Sequence, residues 1–419
     1  MKSKSSGAQS DRIRIAMVSE HASPLAALGG VDAGGQNVHV AELSAALARR
    51  GHEVRVYTRR DSAELPERVD TPDGYTVVHV PAGPATSLPK DELLAHMPAF
   101  GRFLACQWND EPPDVAHAHF WMSGVATLRA ARRCDVVTVQ TFHALGVVKR
   151  RHQGVSDTSP PARLSLERSV AQTADWVAAT CTDEVFELAR LGRPRSRISV
   201  IPCGVDLNRF RPGDACAPRG PLRRIVSVGR LVPRKGFDIL IRAMTAIPDA
   251  ELLIIGGPEA SSLSADPEAR RLTALAAGLG VAERVRLCGS VSRAEMPGLL
   301  RSADVVACTP WYEPFGIVPV EAMACGVPVL AAAVGGMLDT VVDGMTGMLI
   351  PPKDPNACAD ALRSMLADPV RLARWGTAGY QRAQARYSWD RIAADTEKMY
   401  SRVLSGRRVP VSTQGRQSG

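Results

Sequence analysis

Aromatic residues are scarce in this chain: 8 Phe, 6 Tyr and 6 Trp among 419 residues. Its cores must therefore rest on Ala, Val, Leu and Ile. Acid and base nearly balance, and the surplus of +8 favours anionic partners without naming one. Long apolar runs are missing as well. The longest, Val327 to Leu338, is broken by Pro328 and by Gly335–Gly336 and falls short of the ~20 residues that a membrane span needs. Residues 1–11 (MKSKSSGAQSD) hold no apolar stretch, so no secretory signal is expected. The nine cysteines contain no C-x-x-C pair, which argues against a zinc ribbon or a disulfide framework. Cys181, Cys203, Cys288 and Cys308 sit in apolar runs and are expected to be small buried hydrophobes in a reducing cytoplasm. The six tryptophans form no stacking stripe, so nucleic acid is not an expected partner.

What is present is alternation. RIRIAMVS (Arg12–Ser19) reads as a strand and is followed by the Gly-rich stretch Leu28–Gly35. VHVAELSAALARRG then predicts a helix with Val38, Ala41, Ala45 and Ala48 on one face, closed at Gly51. His52–Thr58 returns as a strand. Further strand-like runs are Thr76–Val80, Asp114–His119, Val136–His143, Trp176–Cys181 and Ile198–Pro202. The Pro/Gly-rich stretch Arg209–Pro221 reads as a linker. A second series follows it, at Arg224–Val228, Glu251–Gly256, Arg284–Gly289, Asp304–Thr309 and Pro328–Ala332. Short hydrophobic strands alternating with helices predict an α/β protein with parallel sheets covered on both faces. Two doubly wound Rossmann-like domains are expected, residues 12–205 and 222–385, facing across a cleft. Ser388–Leu404 predicts a helix with Ile392, Thr396, Met399 and Val403 on one side. Residues 386–404 are expected to cross back to the first domain, and 405–419 to form a disordered tail.

Three segments carry chemistry. In WYEPFGIVPVEAMACGVPVLA (Trp311–Ala331) a strand passes through a loop into a helix with Pro319 near its first turn. Backbone amides at such a helix start suit phosphate. Glu313 in the loop and Glu321 in the expected first turn are carboxylates suited to sugar hydroxyls, and a bond to a charged acceptor is worth ~1.5–3 kcal/mol. Read alone, Glu321 could instead merely complement the helix dipole. In VSVGRLVPRKGFDILIRA (Val226–Ala243), Arg230 and Lys235 follow a strand end and could embrace a diphosphate; an exposed basic loop is the alternative. In DAGGQN (Asp32–Asn37), Gly34 and Gly35 allow close backbone approach to a phosphate, but no G-x-G-x-x-G fingerprint is present.

Together these segments resemble the retaining glycosyltransferases of the GT-B class, family four, over nearly the whole chain. EPFGIVPVEAMACGVPVLA matches the family's E-x7-E signature, and GRLVPRKG its diphosphate loop. SEHASPLAALGGVDAGGQNVHVAELSAALARRGHEV and HAHFWMSG are most similar to the mycothiol-pathway inositol-phosphate N-acetylglucosaminyltransferases, with sucrose synthases as relatives. The resemblance implies that Arg230 and Lys235 bind the donor diphosphate, Glu321 the ribose and Glu313 the donor sugar. Phe315, Gly316, Ile317 and Val318 would stand near sugar and phosphates, Val291 near the base, Gly34 and Gly35 against the diphosphate, and His119 near the transferred sugar. UDP-sugar is the implied donor, with GDP-mannose and a lipid or glycan acceptor as the alternative. Neither a metal nor a cofactor is implied beyond the nucleotide sugar, and no Asp-x-Asp motif occurs.

On the acceptor side, His21, Asp32, Asn37, Lys90, His143 and Arg163 are the implied contacts for a small hydroxylated or anionic molecule. Lys90 and Arg163 match two members of the relatives' phosphate cradle. Its tyrosine falls at Pro112 or Pro113, and its threonine is replaced by Ala144. The cluster VVKRRH (Val147–His152) suggests contact through residues 149–152 with anionic lipid headgroups at a membrane surface or with an acceptor phosphate, or else a solvated helix end. A nucleotide-sugar epimerase and a non-catalytic sensor are the readings from other classes. The two-domain cleft implies closure on binding, hinged near Cys203–Pro221.

Overall fold

A computed structural model describes residues 12–25, 34–213 and 215–407. The first sheet has eight strands: β1 (Arg14–Val18), β2 (Glu53–Arg59), β3 (Arg68–Asp70), β4 (Thr76–Val80), β5 (Val115–His119), β6 (Val137–Thr141), β7 (Trp176–Ala179) and β8 (Ile198–Val200). The second has six: β9 (Arg223–Val228), β10 (Ala250–Ile255), β11 (Val285–Gly289), β12 (Val305–Cys308), β13 (Val329–Ala332) and β14 (Gly347–Ile350). Their spatial orders are β3-β4-β2-β1-β5-β6-β7-β8 and β11-β10-β9-β12-β13-β14. Every pairing is parallel except β3 with β4. Both sheets reverse strand order beside their first strand, between β1 and β5 and between β9 and β12. Doubly wound sheets bind ligands at such points.

The central strands are apolar runs because helices cover both faces; in β10, four of the six residues are Leu or Ile and all four are fully buried. β3 and β14 escape the sequence pattern. β3 is a three-residue edge strand, and β14 is four residues set among the turn-forming residues of DGMTG. Several strands are a residue or two shorter than expected, at one end or the other. Asp114 and Val136 precede their strands and His143 follows its strand, all three outside the ladder.

The first helix, Gly35–Arg49, starts where the Asn37 carboxamide accepts the Gly34 N–H at 3.0 Å. Gly51, with φ +96, takes the left-handed position after its end. Its buried face is wider than the expected stripe. Val38, Val40, Leu43, Ala45, Ala46 and Leu47 are buried, whereas Ala41 and Ala48 are only half-buried. The second flank is covered by the C-terminal helix, Trp389–Arg407.

That last helix returns from the second domain to the first. Ile392, Thr396, Met399 and Val403 are all buried along it, on the expected side. Glu397 pairs with His52 at 2.6 Å and Arg50 at 2.5 Å, and Tyr400 hydrogen-bonds His117 at 2.7 Å. The helix continues through Arg407, so residues 405–407 are helical rather than tail; residues 408–419 lie outside the described chain. The two crossings between domains touch each other. The Val205 N–H donates to the Tyr387 carbonyl at 2.7 Å, and a Cβ on Gly204 would come within 2.5 Å of the Trp389 ring. All nine cysteines are free; Cys181, Cys203 and Cys308 are buried as expected, while Cys288 is only half-buried. Among the described residues, no helix is long and apolar enough to cross a membrane.

Candidate active site

The carboxyl ends of the two sheets face each other across a cavity of about 360 Å³. From the second domain come the loop after β9 with Arg230, Arg234 and Lys235, and the loop after β12 with Glu313–Val318. From the first domain come Gly34, Gly35 and Asn37 at the start of the first helix, with His21, Lys90, His143 and Ala144. All of these except Arg234, Pro314 and Ala144 are expected site residues, and the fold brings them together. Asp32 lies outside the described residues.

Glu313 is the electrostatic centre. Its carboxylate accepts from Lys235 Nζ at 2.5 Å and stands 3.9 Å from Arg234. Burial alone would raise its pKa. Lys235, Arg234, the Lys235 hydrogen bond and Arg230 outweigh that and hold it below the usual carboxylate value. An ionised acceptor therefore sits among three cations, as needed to bind both sugar hydroxyls and phosphate. Behind it, the helix Ile317–Ala324 begins at Gly316, whose φ of +86 suits glycine.

Glu321 is fifth in that helix, on its second turn, not in the first turn as expected. It has no share in complementing the helix start. It is buried outside the main cavity, and its pKa is raised to about 7 by burial, against the attraction of Arg293 and Arg209. Arg293 stands 3.4 Å from it and belongs to the loop after β11. Val291, in the same loop, is half-buried beside a separate recess that also holds Cys288 and Leu299. Neither Glu321 nor Val291 lines the cavity; the Arg293 ion pair joins their two elements.

His119 is likewise one layer back. It is fully buried, and its Nδ1 meets His143 Nε2 at 2.9 Å, so His143 presents the imidazole edge to the cavity. His39 and His117 pack against the same pair. Burial holds His117 down to about 3 and His39 to about 4, and burial with the neighbouring rings lowers His119 and His143 strongly. The cluster is a neutral, closely packed floor. Among the described residues, no group of His, Cys, Asp and Glu is arranged to hold a metal ion.

The residues expected on the acceptor side differ most from the sequence reading. Pro112 and Pro113 precede β5, and the adjacent Asp114 carboxylate accepts from the Arg14 N–H at the start of β1. That is the amino end of the sheet, away from the cleft. The residue facing Lys90 is Phe120, immediately after β5, whose φ of +79 turns its ring beneath the Lys90 ammonium at 4.0 Å. His21 meets the same ring edge-on at 4.9 Å and Arg163 lies 5.3 Å from it. Arg163 does not line the cavity. Its guanidinium is held by Glu167 at 2.7 Å, the Ala144 carbonyl at 2.9 Å and Ser159 at 3.1 Å. Its partners tie together the wall beside Ala144.

In the cluster at 149–152, Lys149 and His152 are half-buried, and Arg150 and Arg151 are exposed. Lys149 pairs with Asp157 at 2.9 Å, Arg151 makes two 2.9 Å bonds to Glu187, and His152 stacks on Tyr312. Three of its four side chains thus have partners within the protein, while Arg150 and Arg151 remain exposed.

Sequence reasoning missed Arg234, though a third base beside Lys235 was visible. It also missed Gly335–Gly336. A Cβ on Gly335 would lie 2.2 Å from the Glu313 carbonyl, and one on Gly336 2.5 Å from Phe315. Only glycine lets the loop after β13 pack against the signature loop, where the Gly336 N–H donates to the Glu313 carbonyl at 3.0 Å.

Comparison with known proteins agrees with this geometry. The family model described as Glycosyltransferase Family 4 matches residues 33–209, and that described as Glycosyl transferases group 1 matches residues 218–382. A D-inositol 3-phosphate glycosyltransferase of Xylanimonas cellulosilytica is 41% identical, over 94% of this chain and 98% of its own. D-inositol 3-phosphate glycosyltransferase 2 of Catenulispora acidiphila is 38% identical, over 94% and 96%. Among solved structures, sucrose-phosphate synthase from Thermosynechococcus elongatus aligns with a TM-score of 0.87 and 33% identity, covering 94% of this chain and all of that one. The Anabaena protein Alr3699/HepE, solved with UDP and glucose, aligns with a TM-score of 0.72 over 93% of this chain and all of its own; at 20% identity it speaks for the fold alone.

Proposed function

The chain belongs to glycosyltransferase family 4 and is a two-Rossmann-domain enzyme acting on a nucleotide sugar; from that premise we propose retaining transfer of a hexose from a UDP-sugar to a hydroxyl of a small polar or anionic acceptor. The observation that carries this reading is Glu313, ionised and clasped by Lys235 and Arg234 where the two sheets face each other.

In this reading Arg230, Arg234 and Lys235 bind the donor diphosphate, and Gly34–Gly35 approach it from the other domain. Glu313 accepts from hydroxyls of the donor sugar, His143 meets the sugar from the floor, and His119 orients His143. Glu321 holds the ribose and Val291 lies toward the base. The bond from the anomeric carbon to the β-phosphate oxygen breaks, and the bond to the acceptor oxygen forms on the same face. The acceptor's proton passes to the leaving phosphate. The enzyme contributes position and a cationic cradle for the diphosphate, so most of the barrier reduction is electrostatic. Lys90 is the cation on the acceptor wall, and the names of the relatives make D-inositol 3-phosphate the first acceptor to assay.

Calorimetric titration with UDP, GDP and ADP, repeated on Glu321→Ala, tests the donor. Preference for UDP, weakened by the substitution, is expected. Preference for GDP would transfer the donor assignment to GDP-mannose, and binding of none would overturn the donor site. Product analysis with UDP-sugars and either myo-inositol or D-inositol 3-phosphate then tests the acceptor.

A further inference from the structure

Tyr312 precedes Glu313 and is 7% exposed, yet its contacts come from both domains. Its ring stacks on His152 of the first domain, with centroids 5.0 Å apart and planes at 22°. Its hydroxyl accepts from Gln153 Nε2 at 2.8 Å. From its own domain the Arg234 guanidinium stands 5.3 Å from the ring, and the Trp311 N–H donates to the Arg234 carbonyl at 2.8 Å. His152 and Gln153 are the last two residues of the helix Gly146–Gln153. That helix begins just beyond His143 and Ala144, where the Gly146 N–H is held by Glu167 at 2.7 Å. One short, anchored helix therefore runs from the acceptor wall to the residue beside the donor-site carboxylate.

We propose that Tyr312 is a positioning residue for the transfer reaction: clamped by His152 and Gln153 when the domains close, it sets Arg234 and Glu313 in their working geometry. The inference rests on the reading of Arg234 and Glu313 as donor-site groups. The pieces have defined roles. An aromatic stack is rigid and directional, and the hydroxyl bond fixes the ring's rotation within the stack. The ring's other neighbour is Arg234, 3.9 Å from Glu313, so the clamp and the carboxylate share one cation. Closure that failed to seat Tyr312 would leave the nucleotide held by the second domain, with the sugar-facing carboxylate out of place. Arg230 and Lys235 would still hold the diphosphate, so the clamp should act on turnover far more than on nucleotide affinity. The same arrangement explains why His152 is turned inward from an otherwise basic helix end.

The test uses His152→Ala and Gln153→Ala, singly and together, with His152→Phe as a ring-retaining control. All lie at a half-exposed helix end, where folding should survive and can be checked by thermal melting. Three readouts are compared: UDP affinity by calorimetry, the UDP-induced change in energy transfer between labels on the two domains, and UDP release from UDP-N-acetylglucosamine with D-inositol 3-phosphate. Removing both contacts should leave UDP affinity and donor KM within about twofold and lower kcat about tenfold or more. It should also reduce the energy-transfer change by half or more, and His152→Phe should restore most of both. Wild-type energy transfer and turnover in the double variant would overturn the proposal, as would loss of UDP affinity in step with turnover. Glu313→Ala separates the two levels of the argument. If that variant turns over like wild type, the donor-site reading itself falls. If it is inactive while the double variant behaves as wild type, only the role of Tyr312 falls.

Discussion

Lys235 Nζ lies 2.5 Å from Glu313 Oε2, bringing together the ends of β9 and β12, two strands that neighbour each other in the sheet but are distant in the chain. The pair is partly buried, with side chains 19% and 14% exposed, and Arg234 is the next cation at 3.9 Å. If these groups bind the donor, as proposed, the fold itself holds the carboxylate and its cations together, which is the preorganisation that electrostatic catalysis requires.

Lys235→Ala should lower kcat by about 10²–10³-fold, the size of effect seen when a preorganised donor is removed. Lys235→Arg should rescue only part of it, because a planar fork does not replace a point charge at this spacing. Steady-state kinetics with a thermal melt on each variant checks both. Wild-type turnover in a folded Lys235→Ala protein would remove Lys235 from the site.

Glu321 sets a pH dependence that Glu313 does not. With its pKa raised to about 7, Glu321 becomes a carboxylate only as pH climbs through that value, whereas Glu313 is ionised well below it. Donor kcat/KM should therefore rise through about pH 7, and Glu321→Gln should flatten that limb while lowering the plateau. Stability runs the other way. The folded protein keeps a proton on Glu321 that the unfolded chain loses near 4.5, so stability falls as pH rises from about 4.5 to 7. Glu184, also raised to about 7 by burial, contributes a similar slope. Melting temperature against pH should show a shallower decline in Glu321→Gln, with the Glu184 part remaining.

Lys90 should govern acceptor charge. Lys90→Ala is expected to raise KM for D-inositol 3-phosphate about tenfold or more, leaving UDP affinity unchanged, since a charged hydrogen bond is worth about 1.5–3 kcal/mol. An uncharged polyol acceptor should respond much less. Initial-rate kinetics with both acceptors makes the comparison, and equal effects on the two would place the anionic group elsewhere.

Tyr400 fastens the C-terminal helix to the floor of the first domain. Tyr400→Phe removes the 2.7 Å partner of His117, a buried imidazole that also bonds Thr141 at 2.8 Å. The cost should be about 1–3 kcal/mol, the penalty for leaving a buried polar group unpaired. Urea denaturation would read it as a lower midpoint at unchanged slope.

Much of this was legible in the residues themselves. Strand–helix alternation, the linker, the signature segment and the buried side of the last helix depend on periodicity and turn chemistry within one or two turns of chain. β3 and β14 were not legible because three or four residues among turn formers carry too little period to register. Glu321 was placed one turn too early because the helix starts at Ile317, two residues before Pro319, so the loop is shorter than Pro319 suggested.

Which side chains face each other was a different matter. That Phe120 rather than Pro112 or Pro113 opposes Lys90 depends on which end of β5 meets the cleft. That His119 stands behind His143 depends on the pairing of β5 with β6. That the basic helix end is an interdomain contact depends on Tyr312, 159 residues away from Gln153. The sequence by itself determined the elements, the family and the donor motifs, because those are local patterns of residue type. Only the tertiary structure decided the partners, because a hydrogen bond or ion pair is made by whatever the fold brings within about 3 Å, however far apart along the chain it lies.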